Sequence, residues 1–281
     1  MRITMIGAGA MGGATVEGLV KGQVFKCEDI TVSDPSERVL EKFQQLGTRV
    51  TTDNLTAVKD ADVVCVCVKP WLVEQVLKGV REALNPERQV LVVIAAGVPS
   101  ASIREWLGEQ CPPLFLCIPN IAIAQLASMT FIVPCAPSVA SVPSVAISSQ
   151  QTGQQKASAQ QQQTELVKAI FEKMGTVLIT DEQHLPAGTT LASCGIAYAM
   201  RYIRAASEGG VELGFRADQA KEIVMQTMLG AVKLLEASGL HPEAAIDLVT
   251  TPGGITIKGL NEMEHAGFTS AVIRGLKSSC K

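Results

Sequence analysis

No charge of either sign dominates this sequence, and that absence narrows the classes of partner. Aromatic residues make up 4% of the 281 residues and charged residues 18%, with 24 basic against 27 acidic side chains. A formal net charge of −3 gives no basic surface of the kind that binds nucleic acid. Residues 110–155 carry no charged side chain, but prolines interrupt that stretch, so it predicts no membrane-spanning helix. We therefore expect neither nucleic acid nor a membrane among the partners.

Patterns for metal binding and nucleophilic catalysis are also missing. The eight cysteines include no Cys-x-x-Cys pair, and the three histidines are scattered. Cys65 and Cys67 alternate with valines in a predicted strand, where both point to one face as small apolar side chains. We predict free buried thiols, no metal site and no Cys/His nucleophile. The chain opens on a strand rather than on a leader pattern, so we expect no signal peptide and a cytoplasmic location.

A glycine-rich motif follows the first predicted strand. Residues 2–13 read Arg-Ile-Thr-Met-Ile-Gly-Ala-Gly-Ala-Met-Gly-Gly, a strand that leads into Gly-x-Gly-x-x-Gly and then into a helical pattern. Gly7 permits the tight turn, Gly9 lets the backbone approach a pyrophosphate, and Gly12 lets the helix pack closely on the strand. A second strand ends at Asp34, at the spacing expected for an acid that binds a ribose hydroxyl. These features predict a dinucleotide site.

The order of the predicted elements indicates two domains. Short β-branched runs alternate with helical patterns in the first part, which predicts an α/β domain of the Rossmann type with a mostly parallel sheet over residues 1–182. Strand patterns stop at about residue 185, and we predict an all-helical domain over residues 183–281. Its first helix is apolar around most of its circumference, which indicates packing against a second copy of the chain. Residues 134–163, rich in Gln, Ser and Pro, are predicted to be a flexible surface insertion.

A second glycine motif lies near the C-terminus, where Thr251-Pro252-Gly253-Gly254-Ile255-Thr256 precedes a helical pattern. A helix that starts after paired glycines exposes backbone N–H groups. Those donors, the helix dipole and the Thr251 and Thr256 hydroxyls favour a small anion such as a carboxylate. An ordinary turn and helix start fits the same run equally well.

Taken together, these residues resemble the pyrroline-5-carboxylate reductase family over nearly the whole chain. The most specific part is the stretch from Thr250 to Phe268, and supporting motifs are Gly7 to Gly13, Val68-Lys69-Pro70, Ala95-Ala96-Gly97-Val98 and Pro119-Asn120. The resemblance implies NAD(P)H-dependent reduction of the C=N bond of 1-pyrroline-5-carboxylate to L-proline, the last step of proline biosynthesis. It also implies a Rossmann domain followed by a helical dimerisation domain, in a homodimer or higher homo-oligomer.

The resemblance also implies roles for individual residues. Thr256 would act as the catalytic residue by hydrogen bonding at the ring nitrogen, while Thr251 and the amides of Gly253 and Gly254 would bind the substrate carboxylate. The residues implied to bind the cofactor are Gly7, Gly9, Ala10, Met11, Gly12, Asp34, Asn54, Val68, Lys69, Pro70, Ala95, Ala96, Gly97 and Asn120.

The position of Asp34 bears on the choice of cofactor. A carboxylate there repels the 2′-phosphate of NADPH, which favours NADH. Arg38 lies one turn into the next predicted helix and would meet that phosphate if Asp34 turned away, so NADPH stays open.

Three departures from the family pattern leave alternatives open. Leu116 stands where we expect arginine, Ile121-Ala122 stand where we expect Thr-Pro, and residues 190–198, including Ile196, replace a Ser-Gly-Ser-Gly-Pro-Ala-Tyr pattern. One alternative is a related β-hydroxyacid-type dehydrogenase or imine reductase, with Lys221, Lys233 or Lys258 as a catalytic lysine by location alone. The other is a dinucleotide-sensing protein without turnover.

Overall fold

The computed structural model describes residues 1–135 and 149–280, which divide into two compact units. The first unit is Met1–Ser193 and the second is Cys194–Lys281. Residues 183–193 belong to the first unit, whereas the sequence analysis placed them in the helical domain. They stay with the first unit because Leu185 and Ala192 pack against its apolar core.

The described part of the first unit contains one sheet of eight strands. The strands are β1 (Ile3–Ile6), β2 (Ile30–Ser33), β3 (Arg49–Thr51), β4 (Val63–Val66), β5 (Val90–Val93), β6 (Leu114–Ile118), β7 (Ser128–Cys135) and β8 (Gly175–Ile179). Their order is β3-β2-β1-β4-β5-β6-β7-β8, and only β6 and β7 pair antiparallel. The first six strands have the order of a Rossmann sheet, which confirms the predicted fold class.

Helices cover both faces of this sheet. They are α1 (Ala10–Lys21), α2 (Glu37–Gln45), α3 (Asn54–Lys59), α4 (Pro70–Val80), α5 (Ser100–Leu107), α6 (Ser149–Glu172) and α7 (Leu185–Gly188), and a π-helical segment, Thr189–Cys194, follows α7. Helices α1, α2 and α6 pack against one face of the sheet, and α3, α4 and α5 pack against the other. Because both faces are covered, β1, β4 and β5 are buried at every position rather than at alternate ones.

The cysteines of the sheet follow the sequence prediction. Cys65, Cys67, Cys117 and Cys135 are free and buried, whereas Cys280 is exposed. Burial raises the pKa of the Cys117 thiol well above its usual value, so this group stays protonated and packs as a small apolar side chain.

The predicted flexible insertion over residues 134–163 is wrong at both of its ends. Pro134 and Cys135 close β7, and residues 149–163 belong to α6; the residues between them lie outside the described part of the chain. Glutamine and alanine are good helix formers, and the far end of α6 buries Val167, Ile170 and Phe171 against the sheet. A helix anchored by that apolar face extends through the polar run, which composition alone assigned to a loop.

The second unit consists of helices within its described residues. They are α8 (Gly195–Glu212), α9 (Ala217–Ser238), α10 (Pro242–Asp247), α11 (Ile255–His265) and α12 (Phe268–Ser279). No residue of α8 is buried, and α9 leaves large apolar side chains such as Met225, Leu229 and Val232 about half exposed. An apolar helical surface of this kind is typical of a unit that packs against another chain. None of the described helices combines the length and apolar character needed to span a membrane.

The apolar core on the α5 face provides a stability prediction. Leu107 is fully buried in α5, whereas Leu55 in α3 is 49% exposed. We expect Leu107→Ala to lower the free energy of unfolding by about 2–5 kcal/mol, because it leaves a cavity in the core. Leu55→Ala serves as the matched control and lowers it by less than about 1 kcal/mol. Urea unfolding without cofactor, followed by circular dichroism, measures both; equal losses would contradict this account of the core.

Candidate active site

The candidate site of the first unit is a cleft at the carboxyl edge of its sheet. The loops after β1, β2, β4, β5 and β6 meet there around a volume of about 920 Å³. Backbone hydrogen bonds hold these strand ends in line: the Gly7 N–H donates to Ser33 C=O at 2.7 Å, and the Cys67 N–H donates to Ile6 C=O at 2.8 Å. The residues predicted to bind cofactor that line this cleft are Gly7, Gly9, Ala10, Met11, Asp34, Asn54, Val68, Lys69, Pro70, Ala95 and Ala96.

Two glycines of the N-terminal motif are required by backbone geometry. Gly7 has a φ of +92°, which side-chain-bearing residues rarely adopt, and a Cβ there would overlap the carbonyl oxygen of Cys67. A Cβ on Gly12 would overlap the carbonyl oxygen of Gly7. Helix α1 therefore begins directly against the strand ends, as the motif predicted.

Gly9 differs from Gly7 and Gly12, because a Cβ built on it meets no protein atom within 4 Å. Its position lines the cleft, at the N-cap of α1, where the first N–H groups of the helix lack helical partners. The protein itself thus leaves room for a side chain at Gly9, and that room belongs to the cleft. This space and the helix N-terminus fit a pyrophosphate.

Asp34 links the end of β2 to the glycine-rich loop. One carboxylate oxygen accepts a hydrogen bond from the Ala8 N–H at 2.9 Å, and the other accepts one from the Ser36 N–H at 3.0 Å. Two backbone donors fix the side chain, so it cannot turn away from the cleft without losing both hydrogen bonds. Arg38 lines a smaller depression of about 450 Å³ beside α1 and α2, which adjoins the main cleft at Gly9 and Ala10.

Asn54 is held beside Asp34 by a neighbouring hydroxyl. The Ser33 hydroxyl donates to the side-chain oxygen of Asn54 at 2.6 Å, which leaves the amide N–H₂ group of Asn54 as a donor. The preceding residue, Asp53, caps α3 by accepting from the Leu55 and Thr56 N–H groups. Its hydrogen bond with the Thr56 hydroxyl is the main reason why the pKa of the Asp53 carboxyl is lowered.

The loops after β4 and β5 form another wall of the cleft. Lys69 is the N-cap of α4 and Pro70 its first residue, so the Val-Lys-Pro run places this helix start in the wall. Cys67 also lines the cleft, but burial raises the pKa of its thiol to about 12. Cys67 therefore offers no thiolate nucleophile at neutral pH.

Three residues that the sequence analysis assigned to cofactor binding do not line the cleft: Gly12, Gly97 and Asn120. Gly12 acts through packing. The Asn120 side chain is buried; its oxygen accepts from the Ala122 N–H at 3.1 Å, and its amide nitrogen donates to Ala192 C=O at 3.4 Å. Asn120 therefore shapes the loop after β6, while its neighbours Ile118 and Pro119 line the cleft.

Two hydroxyls that the sequence analysis missed, those of Thr189 and Ser193, also line the cleft. Thr189 donates to Leu185 C=O at 2.7 Å, and Ser193 donates to Pro119 C=O at 3.2 Å. Both lie in the π-helical segment, and such segments occur often at functional sites. Ser193 could have been found from the sequence, because it lies in the stretch 190–198 that departs from the family pattern.

In the second unit, the C-terminal glycine motif forms a tight turn. The Gly254 N–H donates to Thr251 C=O at 2.9 Å, and Gly253 has a φ of +74°, as the third residue of a type II turn requires. The Gly254 amide is therefore bonded within the turn, which leaves it unsuited to the predicted role as a carboxylate donor. Thr251 and Thr256 are exposed, and their hydroxyls make no hydrogen bond among the described residues.

Helix α11 starts at Ile255, directly after that turn, so its first N–H groups are left for an external acceptor. Thr256 lies in the first turn of the helix. The motif thus combines a helix N-terminus with two hydroxyls, as the sequence predicted. Of the two predicted glycine donors, the Gly254 N–H is already hydrogen-bonded within the turn.

Comparison with known proteins gives consistent similarities. Residues 182–281 match the family described as pyrroline-5-carboxylate reductase dimerisation, and residues 2–97 match the family described as NADP oxidoreductase, coenzyme F420-dependent. The chain is 36% identical over 278 residues to pyrroline-5-carboxylate reductase 1 of Dictyostelium discoideum, with coverage of 99% of this chain and 48% of that protein. The chain therefore spans about half the length of this relative.

Two further relatives match over most of their length. Pyrroline-5-carboxylate reductase 2 of D. discoideum is 32% identical, covering 99% of this chain and 91% of the relative. Pyrroline-5-carboxylate reductase of Methanosarcina acetivorans is also 32% identical, covering 99% of this chain and 96% of the relative. Among solved structures, 1-pyrroline-5-carboxylate reductase from Streptococcus pyogenes superposes with a TM-score of 0.79 and 27% identity, covering 100% of this chain and 96% of the other.

The contrast between Gly9 and Gly12 provides a prediction. Gly12→Ala should lower the free energy of unfolding by about 1–3 kcal/mol, because its Cβ collides with the Gly7 carbonyl. Gly9→Ala should change it by less than about 0.5 kcal/mol, because its Cβ enters open space. The same Gly9→Ala variant should bind dinucleotide more weakly, since the methyl group lies in the cleft. Thermal unfolding and ligand titration measure the two effects; a Gly9→Ala protein with unchanged dinucleotide affinity would remove this loop from the site.

Proposed function

This chain belongs to the pyrroline-5-carboxylate reductase family, and we propose on that premise that it reduces 1-pyrroline-5-carboxylate to L-proline with a reduced nicotinamide dinucleotide. The observation that carries the proposal is the pair of motifs in one chain: a glycine-rich dinucleotide cleft in the first unit, and an exposed Thr-Pro-Gly-Gly-Ile-Thr turn at a helix N-terminus in the second. The reduced nicotinamide ring supplies the hydride for the C=N bond. The residues of the chain bind, orient and shield the reactants.

The first unit holds the dinucleotide. The N-terminus of α1 at Ala10 and Met11 binds the pyrophosphate, and Asp34 with the Asn54 amide binds the ribose hydroxyls. The wall formed by Val68, Lys69 and Pro70 after β4, together with Ala95 and Ala96 after β5, lines the nicotinamide half.

The second unit holds the substrate. The Thr251 hydroxyl and the first N–H groups of α11 bind the carboxylate, and the Thr256 hydroxyl hydrogen-bonds at the ring nitrogen. An imine that arrives protonated needs no strong general base, which suits a chain whose three histidines are scattered in the sequence. The exposed apolar faces of α8 and α9, together with the match of residues 182–281 to a dimerisation family, support a homodimer or higher homo-oligomer.

The direct test is an assay of the purified protein. NADH oxidation with 1-pyrroline-5-carboxylate should yield proline in equal amount. A protein that binds NADH without forming proline would be the dinucleotide-sensing alternative. Reduction of NAD⁺ with a β-hydroxyacid-type substrate, without NADH oxidation by 1-pyrroline-5-carboxylate, would favour the related dehydrogenase.

Replacement of Thr256 tests its role at the ring nitrogen. Thr256→Ala should lower kcat about tenfold to a hundredfold, because a hydrogen bond to the reacting ring is lost, and it should leave NADH affinity unchanged. Thr256→Ser keeps the hydroxyl and should keep most of the rate. Steady-state kinetics and NADH titration measure both variants, and an unaffected rate in Thr256→Ala would remove this residue from the mechanism.

The fixed carboxylate of Asp34 supports NADH as the preferred cofactor. Asp34→Asn removes the charge that repels a 2′-phosphate, so the ratio of kcat/KM for NADPH over NADH should rise about tenfold. Asp60→Asn makes the same charge change at an exposed position outside the cleft and should leave the ratio unchanged. Initial rates with NADH and NADPH in competition measure the cofactor preference. A wild-type preference for NADPH would contradict the proposal that Asp34 repels the 2′-phosphate.

A further inference from the structure

Residues 182–193, which we call the cleft segment, run from the start of α5 to the cleft of the first unit. The segment begins with a 3₁₀ turn (Glu182–His184), continues through α7 and ends in the π-helical turn. Its far end lines the cleft through Thr189 and Ser193. Neither the glycine motif nor the family resemblance assigned a role to its first residue, Glu182.

The cleft segment is tied at its start to the first turn of α5. Glu182 Oε1 accepts a hydrogen bond from the Ser100 N–H at 2.8 Å, and Oε2 accepts one from the Ser100 hydroxyl at 2.5 Å. Both residues are half-buried. The Ser100 N–H is one of the first N–H groups of α5, which have no acceptor within the helix, and the helix dipole favours a carboxylate there. Glu182 thus joins two parts of the chain that are 82 residues apart.

Helix α5 continues directly from a wall of the cleft. Ala95 and Ala96 follow β5 and line the cleft, and α5 begins shortly after them, at Ser100. Under the proposed function, that wall lies at the nicotinamide half. The carboxylate of Glu182 therefore fixes the cleft segment to the helix that follows this wall.

The middle and the end of the cleft segment are attached near the carboxyl end of β6. A Cβ on Gly188 would lie only 2.9 Å from ring carbons of Phe131, and Phe131 pairs with the last residue of β6. At the far end, the Ser193 hydroxyl donates to the Pro119 C=O at 3.2 Å, just after β6. The segment thus has one attachment at α5 and two beside β6, with Thr189 between the last two.

The turn that lines the cleft has a conformation that needs such attachments. π-helical turns are rare, and the Thr190 side chain in this one is buried with a hydroxyl that has no hydrogen-bond partner in the described part of the chain. An unpaired buried hydroxyl costs free energy, so local hydrogen bonds alone do not favour this turn. Tertiary contacts hold conformations of this kind in place. A change to α-helical pairing would shift the hydrogen-bond register of the segment by one residue.

We propose that Glu182 is a positioning residue for the nicotinamide half of the cleft. By fixing the cleft segment on α5, its carboxylate fixes the place of the Thr189 and Ser193 hydroxyls in the cleft. Glu182 does not line the cleft, so it acts through the segment and not by contact with a reactant. This inference rests on the proposed function, which places the nicotinamide at the loops after β4 and β5, and it adds to that function a carboxylate outside the cleft.

The test compares two ligands that each carry one half of the dinucleotide. ADP-ribose contains no nicotinamide, and reduced nicotinamide mononucleotide contains no adenine. Glu182→Ala removes both acceptors, and Ser100→Ala removes the hydroxyl donor. Glu105→Ala is the matched control, because Glu105 is an exposed residue of α5 outside the cleft. Titration of nicotinamide fluorescence gives the affinity for the mononucleotide, and competition with NADH gives the affinity for ADP-ribose.

Glu182→Ala should weaken binding of the mononucleotide about threefold to tenfold and leave ADP-ribose binding unchanged, because only the nicotinamide half loses its fixed wall. Ser100→Ala should weaken the mononucleotide about twofold to threefold, and it should cause no further loss when combined with Glu182→Ala. Glu182→Gln keeps an acceptor for the Ser100 N–H and should recover most of the affinity. Glu105→Ala should change neither ligand.

An equal loss for both ligands in Glu182→Ala would indicate a general structural role and overturn the inference, as would unchanged affinity for both. If Glu182→Ala does not fold, the same comparison in Ser100→Ala decides. An unaltered protein that binds no NADH would overturn the proposed function together with this inference. A protein that binds NADH without forming proline would overturn the proposed function alone, because the two half-ligands still test the role of Glu182.

Discussion

The first turn of α1 packs against the ends of β1 and β4 without room for a side chain, and the rest of the site depends on that contact. Gly12 approaches the Gly7 carbonyl, and Gly7 approaches the Cys67 carbonyl, so one glycine pair ties two neighbouring strands to one helix start. The N–H groups at the start of α1 then face the cleft at a fixed place. Asp34 extends this arrangement to β2 through the Ala8 N–H. Three strand ends and one helix are thus positioned before any ligand arrives, which reduces the ordering that binding requires.

The two units divide the proposed work by the kind of surface that each presents. The first unit is a closed layered core, and its cleft is lined by backbone and small side chains. The second unit leaves apolar helix faces and the Thr-Pro-Gly-Gly-Ile-Thr turn exposed. Hydride transfer needs a rigid cofactor site and a carboxylate site that exclude water when occupied. The exposed apolar faces of α8 and α9 agree with the match of residues 182–281 to a dimerisation family.

The sequence was most informative where one local rule decides the outcome. The mostly parallel sheet of the first unit followed from β-branched runs that alternate with helical patterns, and the roles of Gly7 and Gly12 followed from sterics. Other positions depend on tertiary contacts that no local pattern contains. The helix over residues 149–163 is anchored by apolar residues at its far end, and Asn120 looked like a cofactor ligand but bonds to its own loop and to Ala192. The Gly254 N–H is similarly engaged by the Thr251 carbonyl.

The central claim is that the backbone N–H groups at the start of α1 bind the pyrophosphate of the dinucleotide. A crystal structure of the protein with NADH tests it most directly. The account predicts phosphate oxygens within about 3 Å of the backbone nitrogens of Ala10 and Met11. It would be contradicted by a bound dinucleotide whose phosphates lie away from residues 9–12, with the space beside Gly9 filled by water.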